Sequence, residues 1–214
     1  TLLTNKCDLN FKYCSNPYCK TKKTSYEPEE LGKVFNYLNR KLKVTGLFLS
    51  SGIDKDPDTT TRKMIDSVKI IREKHDFQGY IHFKVLPGTS RNLIKQASRY
   101  STRMSINIEA PNKSILNELS PCKDFNTDIL RRQRWISKLD LKGGQSTQII
   151  VNNFSTDKQI LDMVEKQYKK FDLKRFYFSR FRPVKNTPLE NESPGSKLRE
   201  HHLYNIDFLF RKYN

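Results

Sequence analysis

The sequence predicts an α/β fold, a partial (β/α)6 TIM-type barrel of parallel strands with outer helices, on three observations. Short β-branched or aromatic runs alternate with longer stretches of helical spacing, the strand runs carry polar residues at every second position, and the alternation repeats six times in 214 residues. Eight such units typically need about 250 residues, so the chain falls short of a full barrel. An open doubly wound sheet has the same local pattern and differs only in the order of its strands.

Residues 2–5 read as the first strand. Glu27-Pro28-Glu29-Glu30 then caps a helix with Pro at its first position and Leu31, Val34, Phe35 and Leu38 on one face. Residues 46–51 form the second strand, and 58–75 a helix with Met64, Val68 and Ile71 spaced by four and three. Strand three, 79–86, ends at Pro87-Gly88, and a helix near 91–100 leads to strand four, 104–110. The next helical stretch, about 114–139, breaks near Pro121, and strand five is 147–153. Thr156-x-x-Gln159 reads as a capping box opening a helix with Ile160, Val164 and Tyr168 inward, followed by strand six, 175–184. Residues 185–197, rich in Pro, Asn, Glu and Ser, read as a surface loop, and 198–213 as a closing helix, all within a single domain over 1–214.

Strands covered outside by helices must turn their polar residues to the other side. His82 and Lys84 alternate with Ile81, Phe83 and Val85, and Ser105, Asn107 and Glu109 alternate with Met104, Ile106 and Ile108. Strand five contributes Gln148 and Asn152, strand six Tyr177 and Ser179. A buried unpaired Lys or Glu costs several kcal/mol, so this set implies mutual pairing, water, or a ligand carrying charge and hydrogen-bonding groups. Single members of the set could instead lie at strand ends and meet solvent.

The balance of 40 Lys and Arg against 23 Asp and Glu gives a net charge of +17, while 36% hydrophobic residues suffice for one core and exclude disorder throughout. The longest apolar run, around 44–49, is far short of the roughly 20 residues that cross a bilayer, so no membrane association is expected. The chain opens at Thr1 with neither a charged n-region nor an apolar h-region, which predicts no signal peptide and a segment upstream of this sequence. Four Cys, three of them between Cys7 and Cys19, are too few and too clustered for a secreted disulfide scaffold, so an intracellular, reducing compartment, cytoplasmic or organellar, is expected.

The first strand runs directly into a Cys-bearing loop, 6–24, containing Cys7, Phe11, Tyr13, Cys14 and Cys19. Three thiolates from one loop can hold three irons of a [4Fe–4S] cluster at the carboxyl mouth of a barrel. A zinc knot, which lacks a C-x2-C pair here, and free thiols are the alternatives. Cys122, in a helical break, reads as an ordinary small residue.

The loop resembles that of the radical S-adenosylmethionine superfamily, C-x3-C-x2-C with an aromatic before the last Cys, and Cys7, Tyr13 and Cys14 match. Phe11 stands at the middle position and cannot ligate iron; Cys19 could substitute, in the spacing C-x6-C-x4-C, or the cluster is lost. Gly46-Leu47-Phe48-Leu49-Ser50-Ser51-Gly52 is similar to the segment that meets the methionyl end of the cofactor in that superfamily. Segments 79–84, 104–109, 144–148 and 198–204 resemble one subfamily, the DNA modification or repair radical SAM proteins, so that the likeness spans nearly the whole chain. The resemblance implies a [4Fe–4S] cluster and S-adenosylmethionine as cofactors, and a 5′-deoxyadenosyl radical that abstracts hydrogen from a substrate. It implies Cys7, Cys14 and Cys19 as cluster ligands and Tyr13 near the adenine. Ser50, Ser51 and Gly52 would face the methionyl amino group, Asn107 and Glu109 would accept from the ribose, and Gln148 and Tyr177 would orient cofactor or substrate. Lys84 would pair with the methionyl carboxylate or with Glu109.

Lys166, Lys169, Lys170, Lys174, Arg175, Arg180, Arg182 and Lys185 crowd a segment in which Asp172 is the sole acid, interleaved with Phe171, Phe176, Tyr177, Phe178 and Phe181. Arg131, Arg132, Arg134, Lys138 and Lys142 surround Trp135. Positive charge beside stacking surfaces suits nucleic acid, particularly single strands or RNA, although each cluster alone could be a solvated helix face. The expected function is therefore a radical SAM enzyme modifying or repairing nucleic acid. Its rivals are a catalytically degenerate basic component of a ribonucleoprotein and a zinc-binding interaction protein.

Overall fold

The computed structural model describes residues 1–18 and 22–213. Its elements are α1 (Ser15–Tyr18), α2 (Pro28–Leu42), β1 (Gly46–Leu49), α3 (Pro57–Glu73), β2 (Tyr80–Lys84), α4 (Arg91–Ser98), β3 (Arg103–Ser105), α5 (Lys113–Leu119), a π-helical turn (Phe125–Leu130), α6 (Arg131–Ile136), β4 (Gln145–Val151), α7 (Asp157–Phe171), β5 (Leu173–Arg180) and α8 (Lys197–Tyr213). The five strands form one parallel sheet in the order β1-β2-β3-β4-β5. Strand order never reverses, so the wiring is that of a barrel wall and not of a doubly wound sheet. Among the described residues no helix is long and apolar enough to cross a membrane.

The helices begin where local chemistry predicts. Glu27 and Glu30 make a capping box with Pro28 in the first turn, and Thr156 and Gln159 make another at α7. Met64, Val68 and Ile71 of α3 are fully buried, whereas Val34, expected on the inner face of α2, is 42% exposed; Leu31 and Phe35 are the buried apolar side chains of that face, and Leu38 is half-buried. The helical stretch beyond Asn112 breaks near Pro121 as expected and restarts through the π-helical turn, whose Asp124 carboxylate accepts from the backbone N–H groups of Asn126 and Thr127.

The strands expected at 147–153 and 175–184 run instead over Gln145–Val151 and Leu173–Arg180, and two others differ in kind. Residues 2–5 make bridges instead of a ladder: Leu2 pairs with Ser50 in parallel and Thr4 with Ser25 antiparallel, because the short segment is shared between two neighbours. The expected strand 104–110 keeps its ladder only to Ser105. Beyond it the Thr147 hydroxyl replaces the ladder, donating to the Ile106 carbonyl at 2.7 Å and accepting from Ile108 N–H at 3.0 Å and from Gln133 Nε2 at 3.1 Å. Pairing resumes at the Glu109–Ile149 bridge.

The free edge of β5 is closed by side chains. Alternate backbone N–H groups, those of Phe176, Phe178 and Arg180, donate to the Tyr168 hydroxyl (3.1 Å), the Tyr204 hydroxyl (3.1 Å) and Glu200 Oε1 (3.0 Å). The Tyr204 hydroxyl donates back to the Phe178 carbonyl at 2.8 Å. Asp207, fully buried on α8, locks this edge through Tyr168, Arg211 at 3.0 Å and Arg175 at 3.5 Å.

Candidate functional site

The carboxyl ends of the strands surround a cavity of about 360 Å³. Cys7, Tyr13 and Cys14 reach it from the opening loop, Ser50, Ser51 and Gly52 from the end of β1, Lys84 from β2, Asn107 and Glu109 from the segment after β3, and Gln148 from β4. Five stretches far apart in sequence thus converge on one space, through the period of two that turns alternate strand residues inward. Cys19 lies outside the described residues.

The Cys loop is held by backbone bonds to three neighbours. Asp8 N–H donates to the Ile53 carbonyl at 2.8 Å, Lys12 N–H to the Leu119 carbonyl at 3.0 Å, and Leu189 N–H to the Lys12 carbonyl at 3.3 Å. Gly52 packs so closely against this loop that a Cβ there would run into the Lys6 carbonyl. Gly52 therefore positions Cys7 as well as lining the cavity. Cys7, Cys14 and Cys122 are free thiols. Burial raises the pKa of Cys14, and burial followed by the Glu109 carboxylate raises that of Tyr13.

Glu109 does not pair with Lys84. Its partner is Lys123, at 3.4 Å, with both side chains almost wholly buried. Glu109 adopts φ +63°, a left-handed conformation uncommon for a residue with a Cβ, which marks local backbone strain. The Lys123 ammonium also lies 3.9 Å above the ring of Phe11, which stacks on Tyr13 at 5.9 Å. Sequence patterning missed Lys123, since it belongs to an irregular turn with no period to flag it.

Lys84, Asn107 and Gln148 also line a second chamber of about 260 Å³. Phe48, His82, Ser105, Ser146 and Tyr177, each two positions nearer the amino ends of the strands or level with them across the sheet, form its far wall. His82 bonds to the Ser105 hydroxyl at 2.8 Å and meets the Phe48 ring edge-on at 4.6 Å. Burial, with Arg103 and Lys84 nearby, lowers its pKa to about 4, so the imidazole is neutral at pH 7. Asn152, expected to face the lumen, instead accepts from Phe154 N–H at 2.9 Å in the turn after β4.

The basic residues are dispersed. Arg132 is buried and donates to the Thr89 carbonyl at 2.7 Å and to the Thr127 carbonyl, which corrects its reading as a nucleic-acid contact. Arg175 is committed to Asp207, Lys169 pairs with Glu165 at 2.5 Å, and Lys174 pairs with Asp172 at 3.1 Å. Lys170, Arg131 and Arg134 are exposed, Arg180 is half-buried, and exposed Arg182 stands at the rim of the upper cavity.

No family model and no curated protein matches this sequence. Solved structures do match in fold. Methylornithine synthase (PylB) superposes with a TM-score of 0.80 at 13% identity over 97% of this chain and 60% of its own. The chain has the fold of radical SAM enzymes. Coproporphyrinogen III oxidase (HemN) from Escherichia coli, described as a radical SAM enzyme, matches with a TM-score of 0.58 at 12% identity over 99% of this chain and 50% of its own. The anSMEcpe structure with bound AdoMet matches with a TM-score of 0.65 at 14% identity over 97% of this chain and 60% of its own. This chain thus spans one half to three fifths of the lengths of these proteins.

The residues fit the two implied cofactors unequally. The buried Ser51 hydroxyl has no hydrogen-bond partner and lines the upper cavity, as an amine-binding group would. A [4Fe–4S] cluster needs three thiolates, and the described residues bring Cys7 and Cys14 to the cavity, with Phe11 in its wall. No group of three His, Cys, Asp or Glu suited to a metal ion occurs among the described residues.

Proposed function

We propose that this chain is a radical S-adenosylmethionine-type protein that binds its cofactor in the upper cavity and nucleic acid at the cavity entrance beside Arg182. The observation that carries the reading is the convergence of Cys7, Cys14, Ser51, Asn107 and Glu109, with the orphaned Ser51 hydroxyl, on one cavity. Cys7 and Cys14, completed by Cys19, would hold the iron. Ser50 and Ser51 would accept from the cofactor amino group, Asn107 and Glu109 from its ribose, and Tyr13 would cover the adenine. Lys123 holds the Glu109 carboxylate in place by pairing with it. The cluster and cofactor together would supply hydrogen-atom abstraction, which no side chain here can perform alone. Arg182 at the rim, with the net charge of +17, supports a polyanion at the entrance.

One observation favours a second reading, a non-catalytic basic scaffold: Phe11 fills the middle ligand position with a ring already covered by the Lys123 ammonium. Equilibrium dialysis with S-adenosylmethionine separates the two. The cofactor reading expects saturable binding, weakened about ten-fold by Ser51→Val or Asn107→Ala through the loss of one or two hydrogen bonds. No saturable binding by the reconstituted protein would leave the scaffold.

A further inference from the structure

We propose that the lower chamber is a separate subsite for a small aromatic carboxylate, bound by Lys84 at the junction of the two chambers. Three features of its wall carry the proposal. The chamber has one cation and no carboxylate among its described lining residues, and the only acid near Lys84, Glu109, is already paired with Lys123. Among the described residues no carboxylate forms an ion pair with the half-buried Lys84 ammonium; Glu109 acts on it only from beyond 4 Å, so the cation lacks a direct counter-ion. A ligand anion would supply it.

The second feature is the Ser146 hydroxyl, which is fully buried, has no hydrogen-bond partner and lines the chamber. A buried hydroxyl left unpaired costs about 1–3 kcal/mol, an expense that a ligand acceptor removes. The third is the aromatic wall. Phe48, 45% exposed although it lines the chamber, shares the wall with Tyr177 and a neutral His82, a surface suited to a planar apolar body. At about 260 Å³ the space is smaller than the roughly 300–1,000 Å³ of drug-sized sites and cannot admit a polynucleotide. The occupant is therefore a metabolite-sized molecule with a carboxylate toward Lys84 and a ring toward Phe48 and Tyr177. As a substrate site the chamber rests on the cofactor reading above, whereas the binding itself needs no iron.

The test is titration of benzoate, with benzamide as its neutral counterpart, into the full chain as purified, read by NMR at the His82 ring signals assigned with His82→Gln. Benzoate is expected to shift them saturably, and benzamide not to. Lys84→Met should weaken benzoate at least about ten-fold while keeping the fold, because it replaces a half-buried ammonium that has no direct ion pair by a side chain of similar length. Should that variant fail to fold, Ser146→Val, which narrows the chamber, is expected to weaken benzoate in the same way. Absence of a saturable shift, equal binding of benzamide, or benzoate affinity unchanged in the folded variants would overturn the proposal. Benzoate binding by protein that cannot be loaded with iron would uphold the subsite and remove its radical chemistry; loading without benzoate binding would do the reverse.

Discussion

Gly52 shows how one backbone position can govern the whole upper cavity. Its Cα packs against the Lys6 carbonyl, so Gly52→Ala must push the Cys loop outward, at an overpacking cost of about 1–3 kcal/mol. Thermal unfolding should record a lower Tm, and Cys7 should react faster with a thiol reagent than in the parent. His82 makes a pH prediction of definite sign. Its native pKa of about 4 lies below the unfolded value of about 6.5, so between these values the unfolded chain binds the extra proton. Stability is therefore full above about pH 6.5 and falls as the pH drops toward 4, by up to about 3 kcal/mol. Denaturant titrations at pH 7 and pH 4.5 should show this loss, and His82→Gln should reduce it. Lys84, Asn107, Glu109 and Gln148 were legible in the sequence because a strand's period of two separates lumen from helix side. Lys123, equally important to the cavity, was not, since an irregular turn carries no period. Arg132 and Arg175 read as surface charge until the structure paired them with the buried Thr89 carbonyl and with Asp207.

The strands and helices owe their limits to contacts of different range. The starts of α2 and α7 were legible because their capping boxes are local, closed within four residues. The early end of β3 was not, because the group that interrupts it, the Thr147 hydroxyl, is some forty positions away in sequence. Thr147→Val keeps the shape and removes the hydroxyl, leaving the buried Ile106 carbonyl and Ile108 N–H unpaired at about 1–3 kcal/mol each. Its denaturation midpoint should fall accordingly, with Thr147→Ser recovering most of the loss. The edge of β5 makes a parallel case. Tyr168, Tyr204 and Glu200 occupy every second N–H along it, which denies that edge to another strand. Tyr204→Phe should lower stability by about 1–3 kcal/mol and speed amide exchange at Phe178. Asp207→Asn should cost more, about 3–5 kcal/mol, because it leaves Arg175 and Arg211 without their buried partner.

Sequential strand order makes the molecule an arc of barrel wall, and the same order stacks the inward residues into layers. Lys84, Asn107 and Gln148 form the layer shared by both chambers, with Ser51 and Glu109 on the carboxyl side and His82 and Ser146 on the amino side. The order could not be read from the sequence, because adjacent and reversed strand orders have the same local pattern. The charge of +17 belongs to the whole chain, and its partner should be sought as a polyanion. Single-stranded RNA and DNA should bind in fluorescence anisotropy with an affinity that falls steeply with salt, and Arg182→Glu should weaken both. A flat salt dependence would locate the charge away from any nucleic-acid surface. The cofactor reading is tested most directly by anaerobic reconstitution with iron and sulfide, followed by EPR of the reduced protein with and without S-adenosylmethionine. The reading predicts iron equal to one [4Fe–4S] cluster per chain and a signal that changes with the cofactor, both lost in Cys7→Ala, Cys14→Ala and Cys19→Ala. Iron well below that content, or a signal indifferent to S-adenosylmethionine, would contradict it.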